Sequence, residues 1–185
     1  MRLFISVDLP DRLADSIATV QKPLDGASGL RVTDPNQAHV TLQFLGDVDR
    51  SRVPDIEREL AQGVADATVD PFTVRFEGLG VFPSLEYIRV VWLGVSEGTD
   101  ALTQLQEAIE TRMTTLGFEG DEHDFTPHVT LARMDHAGSK ELVQRMIRNR
   151  DPTVGEMRVS DVRLTESTLT DTGPAYTTVE RFPLE

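Results

Sequence analysis

The chain has 185 residues, 39% of them hydrophobic, and a net charge of -13 at pH 7. This length is enough for one substantial core or for two small lobes folded together. No apolar run is long enough to cross a membrane, and the lack of cysteine excludes disulfides and thiolate metal sites. The cysteine-free composition predicts a cytoplasmic protein.

The acidic balance argues against an extended nucleic-acid surface, because that kind of binding depends on many Lys and Arg contacts to phosphates. Only two lysines are present, Lys22 and Lys140. An acidic surface with so little lysine predicts a protein adapted to high salt, from a halophilic source; an ordinary acidic protein is the alternative. A short anionic end held by a few local groups is compatible with either, and we expect a monomer.

The hydrophobic pattern of the first half predicts strands alternating with helices. In chain order these are a strand at 2–8, a helix from Pro10 that ends before Pro23, a loop at 26–35, a strand at 39–45, a helix capped by Ser51, a strand at 71–77 and a turn-rich connection at 78–84.

The second half repeats the plan. It predicts a strand at 87–95, a helix at 102–116, an acidic loop at 120–124, a strand at 125–134, a helix capped by Ser139 and ended by Pro152, and two strands at 154–165 and 175–182 with a turn at 171–174.

One tetrapeptide occurs twice, as 39–42 and 128–131, with the sequence His-Val-Thr-Leu. In a strand, this alternation places Val and Leu on one face and His and Thr on the other. A lone His on a strand is usually structural, but two of only four histidines open identical tetrapeptides. The other two, His123 and His136, lie in polar stretches and are predicted at the surface.

A shift of 89 residues carries His39 onto His128 and also aligns the helices that follow the motifs. The chain is therefore predicted to be an internal duplication of the α+β class. We expect two antiparallel sheets with the motif strands central and side by side, helices outside, and an active-site cleft on a pseudo-two-fold axis. No linker separates the halves, so residues 1–185 form one bilobal domain with halves near 1–85 and 86–185, between which strands can be exchanged.

Two facing His/Thr sets suit an anion. Threonine hydroxyls can donate to non-bridging oxygens, one neutral imidazole can take a proton, and one imidazolium can give one. These groups suit in-line displacement at phosphorus without a metal, and a strained cyclic phosphodiester is a particularly suitable substrate.

The paired His-x-Thr-x motifs resemble those of the 2H phosphoesterase superfamily. Flanking segments make the chain similar, over nearly its whole length, to the RNA 2',3'-cyclic phosphodiesterase family, also described as 2'-5' RNA ligases. These segments are 2–10, 39–46, 82–84, 89–94, 127–133 and 165–169. The resemblance implies opening of a terminal 2',3'-cyclic phosphate to a 2'-phosphate, a weak reverse joining of tRNA halves, RNA ends or small cyclic nucleotides as ligands, and no cofactor.

The resemblance also implies roles for individual residues. His39 resembles the proton donor to the leaving 3' oxygen, and His128 the base that activates water. Thr41 and Thr130 resemble the phosphate-binding hydroxyls. Two substrate-binding residues are implied as well, the cation Arg133 and the aromatic Phe4. The loop at 30–35 departs from the family in lacking a tryptophan that is common there.

Strict alternation conflicts with the role of Arg133, since it puts residues 128, 130 and 132 in the cleft and Arg133 on the back. The duplication matches Arg133 to Phe44, which is predicted to be a core residue. Three arrangements remain open: the strand bulges or ends before Arg133, its side chain curls round the sheet edge, or Arg133 forms a surface salt bridge.

Two other kinds of protein would fit parts of the pattern. A non-catalytic protein could bind nucleotides or RNA ends in the same cleft, although binding alone would not require two proton-transfer groups. A metal-dependent hydrolase could use both histidines as ligands, but neither has a companion at the usual ligand spacing.

Overall fold

Residues 1–184, the part of the chain that this computed structural model describes, form nine strands and four α-helices. Their bounds are β1 Arg2–Asp8, α1 Ala14–Gln21, β2 Leu30–Val32, β3 His39–Asp47, α2 Val53–Ala67, β4 Phe72–Pro83, β5 Ile88–Glu97, α3 Thr99–Thr115, β6 Val129–Met134, α4 Lys140–Asn149, β7 Thr153–Val159, β8 Asp161–Thr170 and β9 Gly173–Pro183. No helix within these residues is long and apolar enough to span a membrane.

The strands form one antiparallel sheet in the order β7-β4-β5-β6-β3-β1-β8-β9, with β2 also paired to β6. The motif strands β3 and β6 are therefore adjacent and central, which confirms the predicted α+β class and the position of the motifs. A single residue pair, Val40 with Val129, joins them. The two predicted sheets are continuous through this pair. Strand β8 lies between β1 and β9, and β7 lies at the opposite edge beside β4, so the order in the sheet differs from the order in the chain.

One face of the sheet packs against the helices and forms the core. Val40 and Val129 are fully buried there, as are Ile5, Val91 and Leu93 of the neighbouring strands. Helices α2 and α3 approach each other closely at Gly63, where a Cβ atom would stand 3.1 Å from the Cα of Ile109. The opposite face of the central strands carries the histidines and threonines of both motifs.

Several predicted boundaries were wrong because longer-range pairing overrode local signals. Strand β4 continues through Gly78 and Gly80, which were predicted to lie in turns: a register shift between Phe76 and Leu79 accommodates Gly78, and Gly80 is paired with Trp92. The predicted strand at 154–165 is two strands, broken at Ser160, that lie at different places in the sheet. Residues 30–32 of the predicted loop pair with β6, while 125–128 precede β6 and form no strand.

The predicted helix caps were also wrong. Asp49, not Ser51, accepts a hydrogen bond from the backbone at the start of the helical segment that precedes α2. Ser139 makes no capping bond; its hydroxyl donates to the carbonyl of Ser28, and Nδ1 of His136 accepts from the backbone N–H of Gly138 instead. The predicted end of the first helix was right: α1 ends at Gln21, before Pro23, and a 3₁₀ turn at 22–24 follows it directly. Proline is compatible with the first turn of such a segment.

Candidate active site

The four motif side chains surround the central pair of the sheet. Because β3 and β6 are antiparallel and Val40 is paired with Val129, the same register places His39 across from Thr130 and Thr41 across from His128. The valines point into the core, so the two histidines and two threonines share the opposite face. Both motifs thus contribute to one cleft, as the duplication predicts.

Both histidine rings are held in the same way. Nδ1 of His39 lies 2.9 Å from the carbonyl oxygen of Gln37, and Nδ1 of His128 lies 2.7 Å from that of Thr126. A carbonyl only accepts, so Nδ1 carries the hydrogen in each neutral ring. The other nitrogen, Nε2, is then the atom that gains and loses a proton, and each imidazole can act as an acid or a base through it.

A bulge directs Arg133 to the cleft. Val91 is paired with Ala132 but the next residue, Trp92, is paired with Thr130, so Leu131 is an extra residue in β6. This insertion reverses the alternation: Ala132 is fully buried and Arg133 is exposed on the cleft side. Of the arrangements left open by the sequence, the structure therefore shows the bulge. Arg133 forms no ion pair among residues 1–184, although its charge lowers the pKa of both motif histidines.

An equivalent bulge in β3 overturns the prediction for Phe44. Ile5 is paired with Gln43 and Ser6 with Thr41, so Leu42 is the extra residue. Phe44 is paired with Phe4, and its side chain is 65% exposed on the cleft side. It is not a core residue.

Aromatic rings form a wall beside His39. The ring of Phe4 lies 4.9 Å from that of His39, and Tyr176 of β9 meets both edge-on at 5.1–5.2 Å. Phe4 is therefore beside the site as the sequence predicts, but it is only 4% exposed. Tyr176 and Phe44 offer more open surface. Burial raises the pKa of Tyr176, so its hydroxyl stays neutral.

A second aromatic wall stands beside His128. Phe82 meets the His128 ring edge-on at 4.9 Å, and Trp92 lies 5.9 Å away. Trp92 can occupy this place because residue 80 is glycine: a Cβ atom there would stand 2.2 Å from the indole ring. Each histidine is thus flanked by aromatic side chains from its own half of the sheet.

Burial lowers the pKa of both motif histidines below the ordinary imidazole value. For His39, the Gln37 carbonyl and the carboxylate of Asp8 oppose this effect, and Arg133 adds to it. For His128, the Thr126 carbonyl opposes it, while Arg133 and His39 add to it. The two histidines are therefore close enough to sense one another, and they have different charged neighbours.

Two cavities extend the cleft. One of about 150 Å³ adjoins His39 and is lined by polar groups that include Asp8, Asn36 and Arg163. The other, of about 270 Å³, lies beside Trp92 and the segment that leads to His128. Both are small enough to hold part of a nucleotide rather than a folded RNA.

The remaining histidines lie elsewhere. His123 and His136 are exposed, as the sequence predicts. Among residues 1–184, no group of three or more His, Asp or Glu side chains is placed to hold a metal ion.

Sequence reasoning missed Tyr176, Gln37 and Asp8 as site residues. Tyr176 lies in a polar strand with no motif around it, and Gln37 precedes the motif in a segment that gave no signal. The side chain of Gln37 bonds to the backbone of Pro174 and Tyr176. Asp8 ends the predicted first strand, and only the pairing of β1 with β3 reveals that it faces His39.

Comparison with known proteins confirms the resemblance seen in the motifs. Residues 9–171 match the model of the 2'-5' RNA ligase superfamily. The RNA 2',3'-cyclic phosphodiesterase of Archaeoglobus fulgidus is 36% identical over 98% of this chain and 99% of its own, and that of Methanothermobacter thermautotrophicus is 35% identical over 100% and 99%.

Solved structures agree. The protein TT0787 of Thermus thermophilus is 30% identical with a TM-score of 0.79, covering 100% of this chain and 98% of that one. Escherichia coli LigT complexed with 3'-AMP is 25% identical with a TM-score of 0.76, covering 99% and 97%. The chain therefore belongs to the 2'-5' RNA ligase superfamily.

Proposed function

We propose that the protein hydrolyses terminal 2',3'-cyclic phosphates of RNA to 2'-phosphomonoesters by acid-base catalysis without a metal. One observation carries the proposal: Nδ1 of each motif histidine is bonded to a carbonyl, which leaves Nε2 to exchange protons, and the register places each histidine across from the threonine of the other motif in a single cleft. The relatives named RNA 2',3'-cyclic phosphodiesterase support it.

The reaction needs one proton removed and one supplied. Nε2 of His128 takes a proton from water, and the water oxygen attacks phosphorus in line with the 3' oxygen. The P–O3' bond breaks as Nε2 of His39, initially protonated, gives its proton to the departing oxygen. The 2' oxygen keeps the phosphate, and the products are a free 3' hydroxyl and a 2'-phosphomonoester.

The other residues of the cleft stabilise charge and position the substrate. The hydroxyls of Thr41 and Thr130 donate to the non-bridging oxygens, and Arg133 supplies a positive charge that no described carboxylate neutralises. Phe4 forms the base of the aromatic wall, and the more exposed rings of Tyr176 and Phe44 stack on the terminal nucleoside. A weak reverse joining of tRNA halves would use the same groups in the opposite direction.

The size and charge of the site restrict an RNA substrate to the end of the chain. The cavity lined by His39 measures about 150 Å³, and the one beside Trp92 and Thr126 about 270 Å³. The net charge of -13 opposes binding of a long phosphate backbone. RNA ends and small cyclic nucleotides are therefore the proposed partners of a monomeric enzyme. We expect it to meet RNA ends of this kind in the cytoplasm.

Product analysis tests the proposal. A 5'-labelled oligonucleotide that ends in a 2',3'-cyclic phosphate is incubated with the protein, with and without a metal chelator, and the product is compared with 2'- and 3'-phosphate standards. We expect a 2'-phosphate in both conditions. His123→Ala, which alters an exposed histidine outside the cleft, should retain activity.

Three results would contradict the proposal. A 3'-phosphate product would show that the acid protonates the 2' oxygen. Loss of activity in chelator would show that a metal takes part. Binding of the oligonucleotide without turnover would identify a non-catalytic RNA-end binding protein.

A further inference from the structure

The two motif histidines are nearly equivalent, yet the reaction needs one acid and one base. Each Nδ1 donates to the carbonyl two residues earlier, and each ring lies against two aromatic side chains. Neither the motifs nor the pseudo-symmetry distinguishes them. A difference in role must come from a neighbour that only one of them has.

Asp8 is that neighbour. It is paired with His39 across β1 and β3, and both residues line the 150 Å³ cavity. In the other half, Trp92 is paired with Thr130 and Leu93 with Val129, as Ser6 is with Thr41 and Val7 with Val40, so the residue that corresponds to Asp8 is Gly94, which has no side chain. Among residues 1–184, no carboxylate takes the place beside His128 that Asp8 takes beside His39.

The carboxylate of Asp8 is held in place. The hydroxyl of Ser6 donates to Oδ1 at 2.8 Å, and Nη1 of Arg163 donates to Oδ2 at 3.1 Å. Ser6 is fully buried and also bonds to the buried hydroxyl of Thr165 at 3.2 Å. Arg163 is shared with Asp161 at 3.4 Å, so it neutralises Asp8 only in part.

The groups around His39 act in opposite directions. The Gln37 carbonyl and Asp8 favour the imidazolium, whereas burial and Arg133 of β6 oppose it. Tyr176 of β9 is neutral and contributes a ring edge. Around His128 only the Thr126 carbonyl favours the imidazolium, and both other charged neighbours, Arg133 and His39, oppose it.

We propose that Asp8 is a positioning residue that makes His39, rather than His128, the proton donor, by stabilising the imidazolium at His39 with a fixed carboxylate. The proposal rests on the proposed function. Each turnover leaves His39 neutral and His128 protonated, so the protons must be redistributed before the next one. Asp8 favours the return of the proton to His39 and so restores the productive arrangement.

Imidazole titration by NMR tests the proposal without substrate. In Asp8→Asn, which keeps the size of the side chain and an acceptor for Ser6, the pKa of His39 should fall while that of His128 changes little. In Arg163→Met, which frees Asp8 from its partner, the pKa of His39 should rise. Glu97→Gln, a control that removes the charge of an exposed carboxylate paired with Arg75 and not with a motif strand, should leave the pKa of both histidines unchanged.

The pH profile of kcat/KM gives a second readout. A partly screened carboxylate at this range should shift the alkaline limb of Asp8→Asn down by about 0.5–1 pH unit, which is a loss of about three- to tenfold above the limb. A substrate whose leaving oxygen needs no protonation should show no such loss. Arg163→Met should move the alkaline limb to higher pH.

The two variants should shift the pKa of His39 in opposite directions, which distinguishes this role from a structural one. If Asp8→Asn and Arg163→Met shift the pKa of His39 in the same direction, or leave it unchanged, the proposal is wrong. A loss in Asp8→Asn that is equal at every pH would also overturn it. If Asp8→Asn does not fold, the upward shift in Arg163→Met decides alone. Failure of the wild type to hydrolyse cyclic phosphates would refute the proposed function, while the NMR shifts would still test Asp8.

Discussion

Gln37 couples the β8–β9 hairpin to the ring of His39. Its Nε2 donates to the carbonyl of Pro174 at 2.9 Å, its Oε1 accepts from the backbone N–H of Tyr176 at 2.9 Å, and its own carbonyl holds His39. Gln37→Ala removes the first two bonds and keeps the third. At about 1 kcal/mol each, the loss is about 2 kcal/mol in the free energy of unfolding. For a chain of this size the melting temperature should fall by about 4–8 °C.

Activity should fall as well, because the freed hairpin no longer fixes Tyr176 against His39. We expect a loss of about tenfold in kcat/KM, since small displacements at a reacting group are costly. The assay is thermal unfolding combined with cyclic-phosphate hydrolysis well below the melting temperature. Gln104→Ala is the control, because it removes a side-chain bond to the carbonyl of Ala67 between the outer helices. A melting temperature that falls in both variants with kcat/KM unchanged in both would refute the coupling.

The remaining predictions concern catalysis, pH and salt. His39→Ala and His128→Ala should each lower kcat by about 10²–10⁴-fold; the double variant should lose much less than the product, because both groups act on one displacement. Thr41→Ala or Thr130→Ala should cost less than either histidine, and additive losses in the double histidine variant would contradict a shared step. Because burial lowers the pKa of both imidazoles, the bell-shaped pH profile of kcat/KM should be centred below about pH 6.5. A centre above this value would contradict the effect assigned to the burial of the two histidines. If the charge of -13 is an adaptation to high salt, the melting temperature should rise between low and molar salt, because counterions screen the self-repulsion; an unchanged melting temperature would refute the halophilic interpretation.

The sequence predicted the centre of the molecule better than its edges. The motif strand β3 and strand β1 were placed within two residues of their ends, because alternating hydrophobic residues define strands directly. The predicted length of β4 was too short, because glycines normally indicate turns. Here the register shift and the ring of Trp92 require glycines inside the strand. The division of 154–165 at Ser160 was missed because both pieces have the composition of strands, and only their different partners separate them.

The site residues also differ in how well the sequence predicts them, because only some of them lie in a motif. His39, Thr41, His128 and Thr130 were assigned to one cleft from the repeated tetrapeptide, and the register of β3 with β6 brings them together. Tyr176 comes from the far end of the chain and carries no motif. Its place beside His39 depends on β9 folding back beside β8, which no local pattern predicts.

The two bulges explain why Arg133 could be questioned from the sequence and Phe44 could not. A charged residue at a position that alternation assigns to the core is a conflict, since burying an unpaired guanidinium is very costly. The conflict itself indicates that the strand changes register before Arg133, and Leu131 is where it does so. Phenylalanine at the matching position creates no conflict, because a core accepts it readily. The same change of register at Leu42 therefore left no trace in the sequence, although it turns Phe44 toward the substrate cleft.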